Sequence, residues 1–362
     1  MNIGILSMQR IPNYGSFLQA FSLKRQMEER GHEVYFIDIL EGKKIVESKE
    51  IHVSIMKKFD KYLIKRIENC FFYRKMLKIH DEDARKYLNI EKKIAKDNQF
   101  DVVIIGSDEV FNATIPSKWG FSTQLFGEIS NAKSVVTYAA SCGSTTVEKA
   151  AHYNITQDIR NSLQNIERIS VRDKNTAEFI SMISDRKAEI HVDPVFLTNY
   201  DKCIPRIKDR KPYILVYAYE NRINNIEEID AIKRIAHEEN LDIISVGMQQ
   251  RWCKHNITAN AFELLAYVKN AKYIITDTFH GSVFSIKYNK RFATFIRESN
   301  TEKLSDLLEE FGLSTRAVRN IKDVSAILHT RIDWDRVNDL IMYEQERSKK
   351  YLDEICSRRT LR

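Results

Sequence analysis

The chain has 362 residues, 43% of them hydrophobic and 10% aromatic, which is enough apolar material for folded cores; at about 150 residues per domain, the length suggests two domains. With only 11 glycines and 5 prolines, collagen-like, low-complexity and disordered classes are excluded. Lys and Arg number 57 against 50 Asp and Glu, and the net charge of +7 permits an anionic substrate or membrane surface without indicating nucleic acid.

The opening run Asn2–Ser7 reads as a short buried strand and Asn13-Tyr14-Gly15-Ser16 as a loop. Phe17–Arg30, with apolar Leu18, Phe21, Leu23 and Met27, reads as a helix ended by Gly31, and Val34–Ile39 as a second strand. This strand, helix, strand order opens a doubly wound α/β domain. Residues 43–96 then form a basic excursion, with 16 Lys and Arg against 8 Asp and Glu. Within it, Ile51–Tyr73 fits one or two basic amphipathic helices, which either pack on the domain or lie on an anionic membrane.

Four apolar runs follow, Phe100–Ile105, Ser134–Ala140, Glu167–Val171 and Ile190–Val192, each ending in polar or glycine residues, with a helix at Thr176–Met182. In a parallel sheet those ends share the edge at which open α/β folds bind ligands. After a polar linker at Asn199–Arg210 a second cycle begins, with strands Tyr213–Tyr217, Asp242–Val246, Lys272–Thr276 and Arg291–Phe295. Its helices are Ile226–Glu239, Ala261–Lys269 and Val283–Tyr288. The expected division is an N-terminal Rossmann-like domain over 1–198 carrying the 43–96 insertion, a C-terminal one over 211–332, and a helical tail over 333–362 that packs back on the first.

Five scattered cysteines without a CxxC pair support neither a disulfide framework nor a thiolate zinc site, and no metal or cofactor is expected. The start is too short an apolar run for a signal peptide and no stretch approaches ~18 apolar residues, so a cytoplasmic protein is expected, with the inner membrane face open to it through residues 51–73.

Several strand ends carry residues suited to chemistry. His280 lies where a strand turns into a helix, suited to general acid/base work or to capping the turn. Beside it, Gly281 permits close approach of another group, and Ser282 with the helix amides offers an anion site. Asn13, Tyr14, Gly15 and Ser16 occupy the first strand-to-helix loop, either facing a ligand or simply capping the helix. Ser107 and Asp108 have the same two readings, and the sequence is neither a GxGxxG nor a Walker loop. Arg172 and Arg297, each just past a strand, suit bidentate anion binding or an ion pair, for Arg172 with Asp173 or a neighbouring helix.

In order and spacing these motifs resemble the polysaccharide pyruvyl transferase family over nearly the whole chain. The matching stretches are Asn13–Ala20, Ile105–Asn112, Tyr138–Gly143, Ser170–Asp173, Val192–Pro194 and Ile275–Ile286, the last including Asp277. The resemblance implies a GT-B-like α/β fold of two Rossmann-like domains facing across a cleft. It also implies transfer of the enolpyruvyl carbons of phosphoenolpyruvate, a substrate rather than a cofactor, onto two hydroxyls of a sugar or lipid-linked oligosaccharide in bacterial surface polysaccharide assembly. By position, Arg172 and His280 would hold or protonate phosphoenolpyruvate, while Asp108 and the Asn13–Ser16 loop would lie near the acceptor. Where several members have Arg-Leu-His this chain has Thr278-Phe279-His280, so the second anion-binding arginine would fall to Arg297. The alternatives are a nucleotide-sugar glycosyltransferase on the same fold and a non-catalytic glycan-binding relative.

Overall fold

The computed structural model of the chain describes residues 1–45, 61–91, 99–220 and 222–357, with the side chains of 61–69 and of residue 299 left aside. The contacts divide it into two units. The first holds the described residues of 1–54, 84–198 and 342–362, and the second those of 55–83 and 199–341.

In the first unit β1 (Asn2–Leu6) leads into α1 (Tyr14–Glu29) and β2 (Glu33–Phe36). After the excursion come β3 (Val102–Asp108) and β4 (Val135–Ala140). The short helices α3 (Val147–His152) and α4 (Thr156–Leu163) follow, whereas α2 (Lys61–Asp83) belongs to the second unit. Then come β5 (Ser170–Val171), α5 (Lys174–Ser184) and β6 (Glu189–Ile190). All six strands are parallel in the order β2-β1-β3-β4-β5-β6. Strands such as Val102–Ile105 are apolar on both faces because helices cover both sides of the sheet.

The first helix starts three residues earlier than its apolar period predicts. Asn13 caps it, its side chain accepting from Gly15 N at 2.7 Å and Ser16 N at 3.4 Å, so Tyr14–Ser16 form the first helical turn rather than a loop.

The second unit contains β7 (Tyr213–Tyr217), α6 (Ile226–Glu238), β8 (Asp242–Val246) and β9 (His255–Ile257). It continues with α7 (Ala261–Asn270), β10 (Tyr273–Thr276), α8 (Phe279–Lys287), β11 (Arg291–Phe295), α9 (Thr301–Glu310), β12 (Ala317–Val318) and α10 (Val324–His329). Its parallel sheet has the order β12-β11-β10-β7-β8-β9, the arrangement of a dinucleotide-binding domain. Short edge strands β9 and β12 carry too few residues to show a period and are absent from the sequence expectation.

Two attachments depart from or extend the sequence expectation. The helix α2, expected on the first domain, groups with the second unit: Tyr73 donates from its hydroxyl to Glu220, and the buried Asp83 accepts from Ala261 N, the first amide of α7, at 3.0 Å. The amphipathic stretch expected at 51–73 lies outside the described residues up to 60. The last helix, α11 (Trp334–Ser357), groups with the first unit from Met342 onward. There Tyr351 is 2% exposed and donates to Thr137 O at 2.8 Å, while Arg168 bonds Glu354 at 2.7 Å and Arg30 bonds Asp353 at 2.7 Å.

Candidate functional site

Each sheet has one place where the chain leaves in opposite directions from adjacent strands, the position at which open α/β sheets bind their ligands. In the first unit it lies between β1 and β3. Asp108, at the end of β3 with φ at 76°, accepts from Ser16 Oγ of α1 at 2.6 Å. Left-handed backbone is rare outside glycine but open to Asp, and it sets this carboxylate at the strand end. The buried Gln19 fastens the same corner, accepting from Ser107 N at 3.1 Å and donating to Ser16 O at 2.8 Å and Ser7 Oγ at 2.9 Å.

Arg172 completes this network. Its Nη1 lies 3.0 Å from Asp193 Oδ2 and 3.8 Å from Asp108 Oδ1, and its side chain is 3% exposed. Burial alone would lower the guanidinium pKa, but the Asp193 and Asp108 carboxylates outweigh it and hold it raised. Asp173, the partner suggested by sequence adjacency, is engaged elsewhere: it caps α5 through Thr176 N at 2.7 Å and accepts from Ser141 Oγ at 2.7 Å. Arg172 thus has two carboxylate partners from its own unit, and an incoming anion would have to compete with both.

Other expected residues at this edge serve the frame. Ser107 is fully buried and donates to Ala139 O at 2.9 Å, Tyr14 is 1% exposed, and Asn13 is the helix cap. Ser16, Asp108 and Arg172 are brought together; Asn13, Tyr14, Gly15 and Ser107 hold the turn that does so.

In the second unit the divergence lies between β7 and β10. Thr278 caps α8, accepting from Gly281 N at 2.9 Å, which gives the residue found in place of a family arginine a structural duty. His280, 9% exposed, sits in the first turn of α8 with its ring 5.4 Å from Phe279 and 6.0 Å from Phe284. Asp277 is fully buried: Oδ1 accepts from Tyr219 N at 3.1 Å, its backbone carbonyl accepts from Asn300 Nδ2 at 2.6 Å, and Arg222 Nη1 lies 3.7 Å from Oδ2. Burial raises the Asp277 pKa, against the lowering pull of Arg222 and the Tyr219 amide.

Three expectations for this edge change. A Cβ on Gly281 would lie 2.0 Å from Thr276 Oγ1 and 2.8 Å from Thr278 Oγ1, so the glycine admits the chain's own hydroxyls rather than a ligand. The Ser282 hydroxyl is fully buried and bonded to Thr294 Oγ1 at 3.0 Å instead of facing an anion. Arg297 is bound in a fork to Glu228, at 2.8 and 2.9 Å, and donates to Arg222 O at 3.0 Å, which makes it a brace for the β7–α6 loop.

The sequence expectation missed Gln19 and Asp193 as network members and Arg222 with Tyr219 at the second edge. Gln19 and Asp193 fall inside the family stretches Asn13–Ala20 and Val192–Pro194, whereas Arg222 lies in a loop with no recognisable pattern, where only the sheet order reveals its position. Among the described residues no group of three or more His, Cys, Asp or Glu is placed to hold a metal, and no helix is long and apolar enough to cross a membrane.

Comparison with known proteins agrees with this architecture. The family model for polysaccharide pyruvyl transferases matches residues 13–299. No protein of curated function matches the sequence. Among solved structures, a UDP-N-acetylglucosamine 2-epimerase described as putative from Listeria monocytogenes is similar with a TM-score of 0.53 at 10% identity, covering 97% of this chain and 94% of that one. The S. aureus MnaA–UDP complex has a TM-score of 0.51 at 11% identity, covering 98% and 95%. A glycotransferase of kitacinnamycin also reaches 0.51 at 10% identity, covering 98% of each chain. At such identities the likeness is one of fold, and the fold is GT-B-like.

Proposed function

Because this chain belongs to the polysaccharide pyruvyl transferase family, we propose that it moves the enolpyruvyl carbons of phosphoenolpyruvate onto two hydroxyls of a sugar in a bacterial surface polysaccharide or its precursor, forming a pyruvate ketal. The observation that carries this is the family match across 13–299, which takes in both switch-point clusters. In the reaction, a proton is added to the methylene carbon and one sugar oxygen bonds the neighbouring carbon, giving up its own proton. The second hydroxyl oxygen then bonds that carbon while its bond to phosphate breaks. Overall the two hydroxyl protons end on the new methyl group and on hydrogen phosphate.

His280 is assigned the acid/base step, since it stands at the start of α8 beside the second switch point, where developing negative charge is favoured by the helix amides. Ser16 and Asp108 are assigned to hydroxyl recognition, with Arg172 holding the Asp108 carboxylate in place. A lipid-linked acceptor and peripheral membrane contact through residues 51–73 belong to the same proposal; at the described end of that stretch Phe71 is 66% exposed, followed by exposed Arg74 and Lys75.

The test is calorimetry of the full chain with phosphoenolpyruvate and with nucleotide sugars, joined to mass spectrometry of the surface glycan with and without the gene. Phosphoenolpyruvate binding and loss of glycan pyruvate on deletion are expected. Nucleotide-sugar binding with unchanged glycan pyruvate would reject the proposal in favour of a glycosyltransferase. His280→Ala is expected to lower turnover by about 10²–10⁴-fold.

A further inference from the structure

We propose that Arg222 is the residue of the second unit that binds the anionic group of the donor substrate, a phosphate or a carboxylate. The inference rests on the phosphoenolpyruvate proposal for the identity of that donor, and on four observations for the residue. The first is place: Arg222 follows β7, and its guanidinium meets Asp277 at the end of β10, so it stands at the switch point of the second sheet, where open α/β sheets take their ligands. The helix that begins there, α8, has nine residues and directs its positive end to the same edge.

The second observation is that Arg297, the arginine expected to bind an anion at this edge, is committed. Arg297 gives its fork to Glu228 and is neutralised there, and Thr278 brings no charge. The third is how Arg222 is held. Its backbone carbonyl is fixed by Arg297, its guanidinium lies 4.6 Å from the centre of the Tyr219 ring, and the Tyr219 amide is fixed by Asp277. Cation–π contact and a braced backbone pre-order a side chain that would otherwise lose rotamer freedom on binding.

The fourth is the state of the charge pair. Asp277 Oδ2 is buried and has no hydrogen-bond partner among the described residues, and the 3.7 Å approach of Arg222 exceeds a hydrogen bond. The Arg222 side chain remains 36% exposed over a carboxylate that is 0% exposed. A buried carboxylate therefore stands behind a partly exposed guanidinium without consuming its donors, an arrangement that keeps a cation in place while leaving it able to bond an oxyanion in a bidentate fork.

The experiment titrates the full-length protein with phosphoenolpyruvate and, separately, with inorganic phosphate, for wild type, Arg222→Ala, Arg222→Lys, Asp277→Asn and Asp277→Asn/Arg222→Ala, with thermal melts confirming folding. Arg222→Ala is expected to weaken phosphoenolpyruvate at least tenfold. Arg222→Lys, which keeps charge without the fork, is expected to recover part of that loss. If Arg222 serves only as counter-ion to Asp277, its removal costs nothing in the Asp277→Asn background, and the inference is overturned. Phosphoenolpyruvate affinity within twofold of wild type in Arg222→Ala overturns it as well, while leaving the proposed function standing. Wild type that binds phosphate but not phosphoenolpyruvate rejects the donor, and the inference then stands only if Arg222→Ala loses phosphate. Wild type that binds neither rejects both.

Discussion

Gly281→Ala separates two meanings of one glycine. At the turn into α8, a Cβ would sit 2.0 Å from Thr276 Oγ1, 2.8 Å from Thr276 Cβ and 2.8 Å from Thr278 Oγ1. These are short, branched side chains, and they are committed: Thr276 Oγ1 donates to Tyr217 O at 2.6 Å and Thr278 Oγ1 accepts from Gly281 N at 2.9 Å. The extra methyl must push α8 away from β10 or break these bonds, a disturbance of the overpacking kind that costs about 1–3 kcal/mol. For a unit of this size that is a fall in melting temperature of about 2–12 °C. Differential scanning calorimetry of wild type, Gly281→Ala, Thr276→Ala and the double variant measures it. The double variant should be less destabilised than the sum of the singles, since Thr276→Ala removes the nearest clashing atom. A Gly281→Ala protein as stable as wild type but deficient in phosphoenolpyruvate binding would refute the argument and return the space to the ligand.

Three further outcomes are expected. Asp193→Ala should destabilise the first unit by about 3–5 kcal/mol in urea unfolding, because Arg172 stays buried with its nearest carboxylate removed and Asp108 only 3.8 Å away. A loss under 1 kcal/mol would mean that Arg172 reaches solvent. His191 is 3% exposed, bonded to Ser170 Oγ at 2.9 Å and packed 4.6 Å from the Tyr351 ring, and burial lowers its pKa to about 4. The unfolded chain therefore takes up a proton, from an ordinary value near 6.5, that the folded chain refuses, so this contribution is intact above about pH 6.5 and is lost as pH falls toward 4. His191→Phe should flatten the pH dependence of stability between those values, and an unchanged slope would sink the assignment. Deleting residues 342–362 should destabilise the first unit, since it removes the buried Tyr351 and Leu352 together with the Arg30 and Arg168 ion pairs; an unchanged melt of that unit would show that the tail is dispensable.

The positions of several candidate residues were legible because strand ends announce themselves. Asp108, Arg172 and His280 each follow an apolar run, and in a parallel sheet those runs must end on one edge. What could not be read was the use of each hydroxyl or guanidinium there. Ser107 and Ser282 occupy the expected turns, yet their hydroxyls are spent on Ala139 O and Thr294 Oγ1. Local sequence places a side chain on an edge; whether it faces outward depends on which distant strand lies beside it.

The arginines make the division sharpest. The alternation of apolar strands and amphipathic helices is a local property, and it determined two parallel α/β units, the central strands of each and the family motifs at their ends. Partner choice is not local. Arg172 passes over the adjacent Asp173 for Asp193 and Asp108, and Arg297 reaches back to Glu228, 69 positions away. Arg222 owes its place beside Asp277 to the pairing of β7 with β10, residues 55 apart along the chain at Arg222 and Asp277. Tertiary structure decided these matters because charges pair by distance in space and by burial, and strand order alone sets both.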